Sequence, residues 1–241
     1  MSYRVLATDY DGTIATHSHV PDSTLAALDR LRRAGHYVML VTGREIDDLK
    51  TVFSHFEAFD LIVGENGGLL YWPANGREKL LAKPPAPIFV DALRRKNVTP
   101  LSVGRVIVAT FEPHETTVLE TIKELGLELQ VIFNKGAVMV LPASVNKATG
   151  LAAALKELRL PTTSVVGVGD AENDHAFLQC CGFSVAVANA LPALKLRVDW
   201  VTPSGHGEGV VELIDRWLTT GLQKAGEASI SPVHQTQETP P

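Results

Sequence analysis

Short apolar runs alternate with amphipathic stretches along most of this chain. Residues 3–8 read as a buried strand. Within residues 23–34, leucines at 25, 28 and 31 recur every three positions, which is the spacing of one helix face. Gly35 stands where a helix stop belongs. Residues 37–41 read as a second strand, 45–55 as a helix and 60–63 as a short third strand. Residues 67–72 and 78–81 then read as a hairpin around Pro73-Ala74-Asn75-Gly76, with Asn-Gly as the turn signal. The stiff Lys83-Pro84-Pro85-Ala86-Pro87 cannot continue a strand and marks a boundary. Beyond it the pattern predicts a helix at 88–96, a strand at 105–110, a helix at 115–125 and strands at 128–133 and 137–141. Asn134-Lys135-Gly136 turns between the last two. Helices follow at 147–158, 172–180, 191–197 and 209–219, with strands at 164–168, 184–187 and 200–202 between them.

This alternation predicts βαβ units around a parallel sheet, an α/β fold. The core is expected from residues 1–82 and 143–220, interrupted by an α+β insert at 83–142. Residues 221–241 have little to bury and read as a disordered tail, or as a linker to something outside this chain.

Composition narrows the function. Lys plus Arg number 22 and Asp plus Glu 27 among 241 residues, a net charge of −5. That balance argues against a non-specific nucleic-acid binder, which needs a basic face. No apolar run approaches the roughly 20 residues of a membrane helix. Arg4 brings charge too early for a signal peptide. The only cysteines, Cys180 and Cys181, are adjacent, which suits neither a structural disulfide nor a zinc site. A reduced, cytoplasmic setting is expected.

Four segments carry chemistry. Asp9-Tyr10-Asp11-Gly12-Thr13 places two carboxylates at the end of the first strand, where both reach one site if the chain curls at Gly12. One suits a nucleophile and the other a proton donor, although Asp-Gly is also common in plain turns. Thr42-Gly43-Arg44 offers a hydroxyl and a free amide for an anion, or simply a helix cap. Lys147 opens a helix, where its charge opposes the macrodipole unless the ammonium has another task, such as pairing with a phosphate. Gly169-Asp170-Ala171-Glu172-Asn173-Asp174 suits Mg²⁺, which prefers hard oxygen ligands, or a helix capped by Asp170. The four segments are expected at the ends of four strands of one sheet. Together they suit a phosphoryl group.

In this order the segments resemble the haloacid dehalogenase superfamily of phosphohydrolases. Asp9-Tyr10-Asp11-Gly12-Thr13 is similar to its first motif, DxDGT. Thr42 matches the second motif, Lys147 the third, and residues 169–174 the fourth, GDxxND. The insert resembles the C2-type cap of the Cof-like and sucrose-phosphatase-like branch, where Glu65-Asn66-Gly67 is also typical. The resemblance spans about residues 3–219.

The resemblance implies a Rossmann-like core and a small α+β cap between the second and third motifs. It implies Mg²⁺-dependent hydrolysis of a phosphomonoester through an aspartyl-phosphate. In that scheme Asp9 is the nucleophile, and Asp11 protonates the leaving oxygen and then activates water. Thr42 and the Gly43 amide bind phosphoryl oxygens, and Lys147 compensates charge. Mg²⁺ sits on Asp9, the Asp11 carbonyl and Asp170, with Asp174 weaker or behind them. Asn173 bonds the phosphate or orients a carboxylate, and Asn66 lies near the leaving group. Arg44 binds substrate or faces solvent. The cap is shorter than in many Cof-like members, so the expected substrate is a small metabolite, such as a sugar phosphate or a phosphoglycolate-like acid.

Other features read more plainly. His17 and His19 lie in a loop without a third ligand, and His175 reads as packing or solvent-facing. Cys180-Cys181 reads as core. Arg105, His114, Asn134 and Lys135 read as solvated surface on the insert, although a cap would present them to a substrate. Two rival functions share these motifs. A phosphotransferase or mutase passes the phosphoryl group to a sugar, and a regulatory module keeps the fold to act on a partner.

Overall fold

The computed structural model describes residues 3–223 of the chain. The expected tail lies outside the described residues from position 224 onward. Strand β1 (Val5–Thr8) is buried at all four positions and lies at the centre of an eight-stranded sheet. On one side it pairs in parallel with β2 (Tyr37–Val41), which pairs with β3 (Leu61–Gly64). The hairpin β4 (Leu69–Trp72) and β5 (Arg77–Leu80) extends this side antiparallel. On the other side β1 pairs with β10 (Val165–Gly169), followed by β11 (Phe183–Ala186) and β12 (Trp200–Val201), all parallel. Strand order therefore reverses between β1 and β10, and a doubly wound sheet binds ligands in the crevice at that point.

Helix α1 (Asp22–Arg33) buries Thr24, Ala27, Leu28 and Leu31, an i, i+3, i+4, i+7 face, and leaves Leu25 only partly covered. It packs beside α8 (His206–Thr219). Helix α2 is shorter than the 45–55 pattern predicts and covers Ile46–Val52. Phe53 leaves the helix for an aromatic cluster with Tyr10, Phe56 and Phe59, so the backbone extends there.

A second, four-stranded antiparallel sheet has the order β6 (Ser102–Val103), β7 (Val108–Phe111), β9 (Ala137–Pro142), β8 (Leu129–Asn134). Side chains alternate across it. Val138 and Val140 of β9 face the helices α3 (Pro87–Arg95) and α4 (Glu115–Glu124), packing with Phe89, Leu93 and Val118. Met139 and Leu141 face the other way and cluster with Val106, Ile107 and Val145. The single strand expected at 105–110 is thus displaced to β7. The amides of Arg105, Val106 and Ile107 are taken by the fully buried carboxylate of Glu65 and are not free for a ladder. Glu65 also clamps this sheet to the core.

Helix α5 (Lys147–Leu158) matches its predicted bounds. Asn146 and Thr149 cap its first turn reciprocally, and Arg159 ends it in the left-handed region. Its Gly150 packs on Gly67, which has a φ of +102°, and an added Cβ at Gly150 would lie 2.5 Å from the Gly67 Cα. The remaining helices are α6 (His175–Cys180) and the one-turn α7 (Pro192–Lys195). The helix expected at 172–180 is split, with Glu172–Asp174 forming a 3-10 turn before α6. Asp174 folds its carboxylate back onto the amides of Asp170 and Ala171, so Asp174 and not Asp170 satisfies this turn. Cys181 is buried as core, whereas Cys180 is exposed, which corrects the reading of the pair as core. No helix among the described residues is long and apolar enough to cross a membrane.

The tight contact between Gly150 and Gly67 makes a direct prediction. Gly150→Ala overpacks that contact and should lower stability by about 1–3 kcal/mol, read as a reduced urea midpoint with an unchanged m-value.

Candidate active site

Asp9 directly follows β1, and its amide continues the ladder to the Val168 carbonyl at 3.0 Å. The chain then folds back at Gly12, whose φ is +89°. The amides of Thr13, Ile14 and Ala15 all bond the Tyr10 carbonyl, so Asp9 and Asp11 stay at the carboxyl end of the strand. Thr42, Gly43 and Arg44 follow β2, and Asp170 follows β10. Lys147 differs from expectation. It belongs to the first turn of α5, which enters from β9 of the second sheet, so three of the four segments end strands of the main sheet and the fourth opens a helix.

The Lys147 ammonium, 1% exposed, lies 2.5 Å from Asp9 Oδ1 and 2.6 Å from Asp174 Oδ1. Its charge therefore has a task that outweighs the helix dipole. Asp174 Oδ2 accepts from the Asp170 and Ala171 amides at 2.8 and 2.9 Å, which commits both of its oxygens. Asp170 accepts from the Thr13 hydroxyl at 3.0 Å on Oδ1 and from Lys135 Nζ at 2.5 Å on Oδ2. One carboxylate oxygen from each of Asp9, Asp170 and Asp174 lies within 4.8 Å of the others. Three buried carboxylates face the buried Lys147 ammonium and the Lys135 ammonium on Asp170, a balance of −3 + 2 = −1 with all groups ionised.

Burial pushes the Asp9 carboxyl up to about 8 against the pull of Lys147, with Asp174 and Asp170 adding to the rise. Burial also raises Asp170, and Lys135 opposes that rise. Burial favours neutral Lys147, but Asp174 and Asp9 outweigh it and hold the ammonium above its ordinary range. A set of hard oxygens with surplus negative charge out of water suits a divalent cation. The Lys135 ammonium already acts as a stand-in cation on Asp170 and on the Asp11 carbonyl. A Cβ at Gly12 would intrude on the same spot, 3.0 Å from the Asp170 Cγ.

Arg44 neither faces solvent nor is free. It grips both Asp11 oxygens at 2.7 and 2.8 Å and reaches Asp48 at 2.7 Å and Ser18 at 2.8 Å. The hydrogen bond to Asp11 is foremost in raising its already high pKa. Asn173 Nδ2 donates to Asn66 Oδ1 at 3.0 Å, while Asn66 Nδ2 and Asn173 Oδ1 are buried without a protein partner. The Thr42 hydroxyl oxygen accepts from the Arg44 amide at 3.1 Å, and Asn66 N bonds the Thr42 carbonyl at 2.9 Å. Gly43 approaches the second sheet closely, and a Cβ there would lie 3.2 Å from Met139 Sδ.

Between the two sheets lies a cleft of about 380 Å³. Asp9, Asp11 and Gly43 line its core side, and Ala109, Asn134 and Met139 its far side. Of the insert residues read as solvated surface, Lys135 instead crosses to the core, and Asn134 Oδ1 is buried without a protein partner. Arg105 pairs with Asp47 and Glu78, and His114 bonds the Thr99 carbonyl. Thr13 and Glu65 stand inside the quoted motifs and carry contacts that local sequence pattern does not reveal.

Known proteins resemble this chain in sequence and in fold. The family model for haloacid dehalogenase-like hydrolases matches residues 6–85 and 95–214. The chain is 30% identical over 224 residues to a phosphoglycolate phosphatase of Methanothermobacter thermautotrophicus, covering 89% of this chain and 99% of that protein. It is 28% identical over 230 residues to phosphoglycolate phosphatase 2 of Saccharolobus solfataricus, covering 91% and 94%. A haloacid dehalogenase-like hydrolase from Bacteroides thetaiotaomicron shares the fold at a TM-score of 0.74 and 18% identity, covering 89% of this chain and 99% of that one. The sucrose-phosphatase of Synechocystis shares it at a TM-score of 0.68 and 20% identity, covering 90% and 98%. With the fold, the four segments and the family match in agreement, the chain belongs to the haloacid dehalogenase-like hydrolases, and it is a phosphoric monoester hydrolase.

Proposed function

We propose that this enzyme is a Mg²⁺-dependent phosphatase that hydrolyses a small phosphorylated metabolite through a phosphoryl group carried on Asp9. The observation that carries the reading is the buried cluster of Asp9, Asp170 and Asp174, which Lys147 and Lys135 leave with a surplus of negative charge. A nucleophilic carboxylate meets a phosphate dianion only where cations offset their repulsion. Asp9, the Asp11 carbonyl and Asp170 would hold the metal, with Lys135 giving up Asp170, while both Asp174 oxygens stay with buried Lys147 and the amides of its own turn. When bound, Mg²⁺ supplies charge neutralisation and orients phosphoryl oxygens.

The chain's own residues divide the remaining work. Lys147 holds one Asp9 oxygen, which aims the other at the cleft. Thr42, the Gly43 amide and the side-chain amide of Asn66 would receive phosphoryl oxygens, and the buried unpartnered Asn66 Nδ2, a donor, fits that use, while Asn173 Nδ2 orients Asn66 through its Oδ1. Asp11 would give a proton to the leaving oxygen and later take one from water. Arg44 grips Asp11 from the other side and fixes its direction. Residues 1–82 and 143–220 would form the core and 83–142 the cap.

The substrate reading rests on three supports. The cleft volume suits a small ligand. Several similar proteins are named phosphoglycolate phosphatases. A cap-side lysine, Lys135, stands at the site to meet a second anionic group. A small phosphorylated acid such as phosphoglycolate therefore leads sugar phosphates as the expected substrate. The reducing, cytoplasmic setting expected from the adjacent Cys180 and Cys181 belongs to the same reading.

Three outcomes test this reading. Asp9→Asn should lower kcat by roughly a thousandfold or more, with an unchanged circular dichroism spectrum. Asp11→Asn should cost roughly a hundredfold to ten-thousandfold, with the larger loss on substrates whose leaving groups are poor. In a phosphate-release screen the wild-type enzyme should turn over phosphoglycolate ahead of glucose 6-phosphate, lose activity in chelator and regain it with Mg²⁺. Isomerised sugar phosphate without phosphate release would instead establish a mutase.

A further inference from the structure

Lys135 sits at the tip of the β8–β9 hairpin, where Lys135 and Gly136 have φ values of +48° and +85°. Consecutive left-handed residues make a tight two-residue turn, so the tip has little freedom to swing without the strands. From there the side chain crosses to the core. Its Nζ lies 2.5 Å from Asp170 Oδ2 and 3.2 Å from the Asp11 carbonyl oxygen. Asp170 is buried and Lys135 is half-exposed, so the head is seated while the stem remains in solvent. The other polar contacts between the sheets avoid this cluster. Glu65 takes the amides of residues 105–107, Arg105 meets Asp47 and Glu78, and Ser102 meets Glu45. Lys135 is therefore the contact through which the hairpin tip senses the charge of the site.

Asp170 Oδ2 and the Asp11 carbonyl are two of the oxygens assigned above to the metal. The ammonium lies within 3.2 Å of both oxygens, where a cation held by the pair would sit, and like charges at this separation repel, so the two exclude one another. We propose that Lys135 is a tethered cation that holds the metal's position in the metal-free enzyme, so that metal loading and release of the β8–β9 hairpin from the core are a single event. The inference rests on the metal reading of the site. Before loading, the ammonium offsets the surplus carboxylate charge and keeps the cap tip seated. Loading frees the tip, which leaves the cationic side chain at the mouth of the cleft. The coupling is reciprocal, so a change that lifts the hairpin must also tighten metal binding.

The test is a Mg²⁺ titration by calorimetry with amide hydrogen exchange on the full chain, comparing wild type with Lys135→Met. The substitution lies on a half-exposed turn and keeps the length of the stem. If the tethered ammonium fills the site about nine-tenths of the time, its removal should tighten Mg²⁺ binding about tenfold. In wild type, Mg²⁺ should speed exchange at residues 134–136. In Lys135→Met those amides should exchange fast from the outset and ignore Mg²⁺. Equal Mg²⁺ affinity in the two proteins would overturn the proposal. So would tighter binding in the variant with wild-type exchange unmoved by Mg²⁺, since that is a charge effect without the hairpin. The wild-type exchange measurement decides this even if the variant folds poorly. If neither protein binds Mg²⁺ at millimolar concentrations, the metal reading itself fails, an outcome distinct from the failure of the tether alone.

Discussion

One buried ammonium holds the site together. Lys147 bridges Asp9 and Asp174 in a place that water does not reach. Leaving one partner of such a cluster uncompensated costs about 3–5 kcal/mol, so the three groups stand or fall as a unit. The bridge also decides what Asp9 is able to do. Burial favours the neutral acid, and Lys147 is the main force opposing it. Lys147 and Lys135 together leave the three carboxylates short of one positive charge, an imbalance that a cation from outside the chain would meet.

The backbone is arranged to deliver this lysine. Gly67 and Gly150 allow α5 to press against the loop after β3, and the Asn146–Thr149 cap starts the helix one residue before Lys147. Asp174 approaches from the opposite side, held by the two amides that make its turn 3-10 and not α. Glu65 then fastens the second sheet over the same corner. Because side chains alternate along β9, Met139 comes to rest against Gly43 while Val138 and Val140 fill the cap's own core.

Much of the fold could be read from periodicity. The leucine spacing found α1, and the alternation of apolar runs and helices pointed to the parallel sheet. Two of the misread segments share a cause. Helix α2 ends early because Phe53 joins distant aromatic rings, and β7 starts late because Glu65 takes its neighbours' amides. Both contacts span many residues, and local pattern does not carry them. The site was legible in part for the same reason. Asp9, Asp170 and Lys147 stand out because carboxylates at strand ends and a lysine at a helix start are locally odd. Lys135 and Arg44 were ambiguous because a charged residue in a turn has the same local pattern whether it faces water or crosses to another element. Only the tertiary approach of the hairpin distinguishes the two for Lys135.

The proposed function stands on a single chemical claim, that the phosphoryl group passes through Asp9 before it reaches water. The stereochemical course at phosphorus tests it most directly. With a substrate made chiral at phosphorus by oxygen isotopes, two in-line displacements return phosphate with retained configuration, and the account predicts retention. Inversion would mean that water attacks the substrate in one step, and it would contradict a covalent role for Asp9.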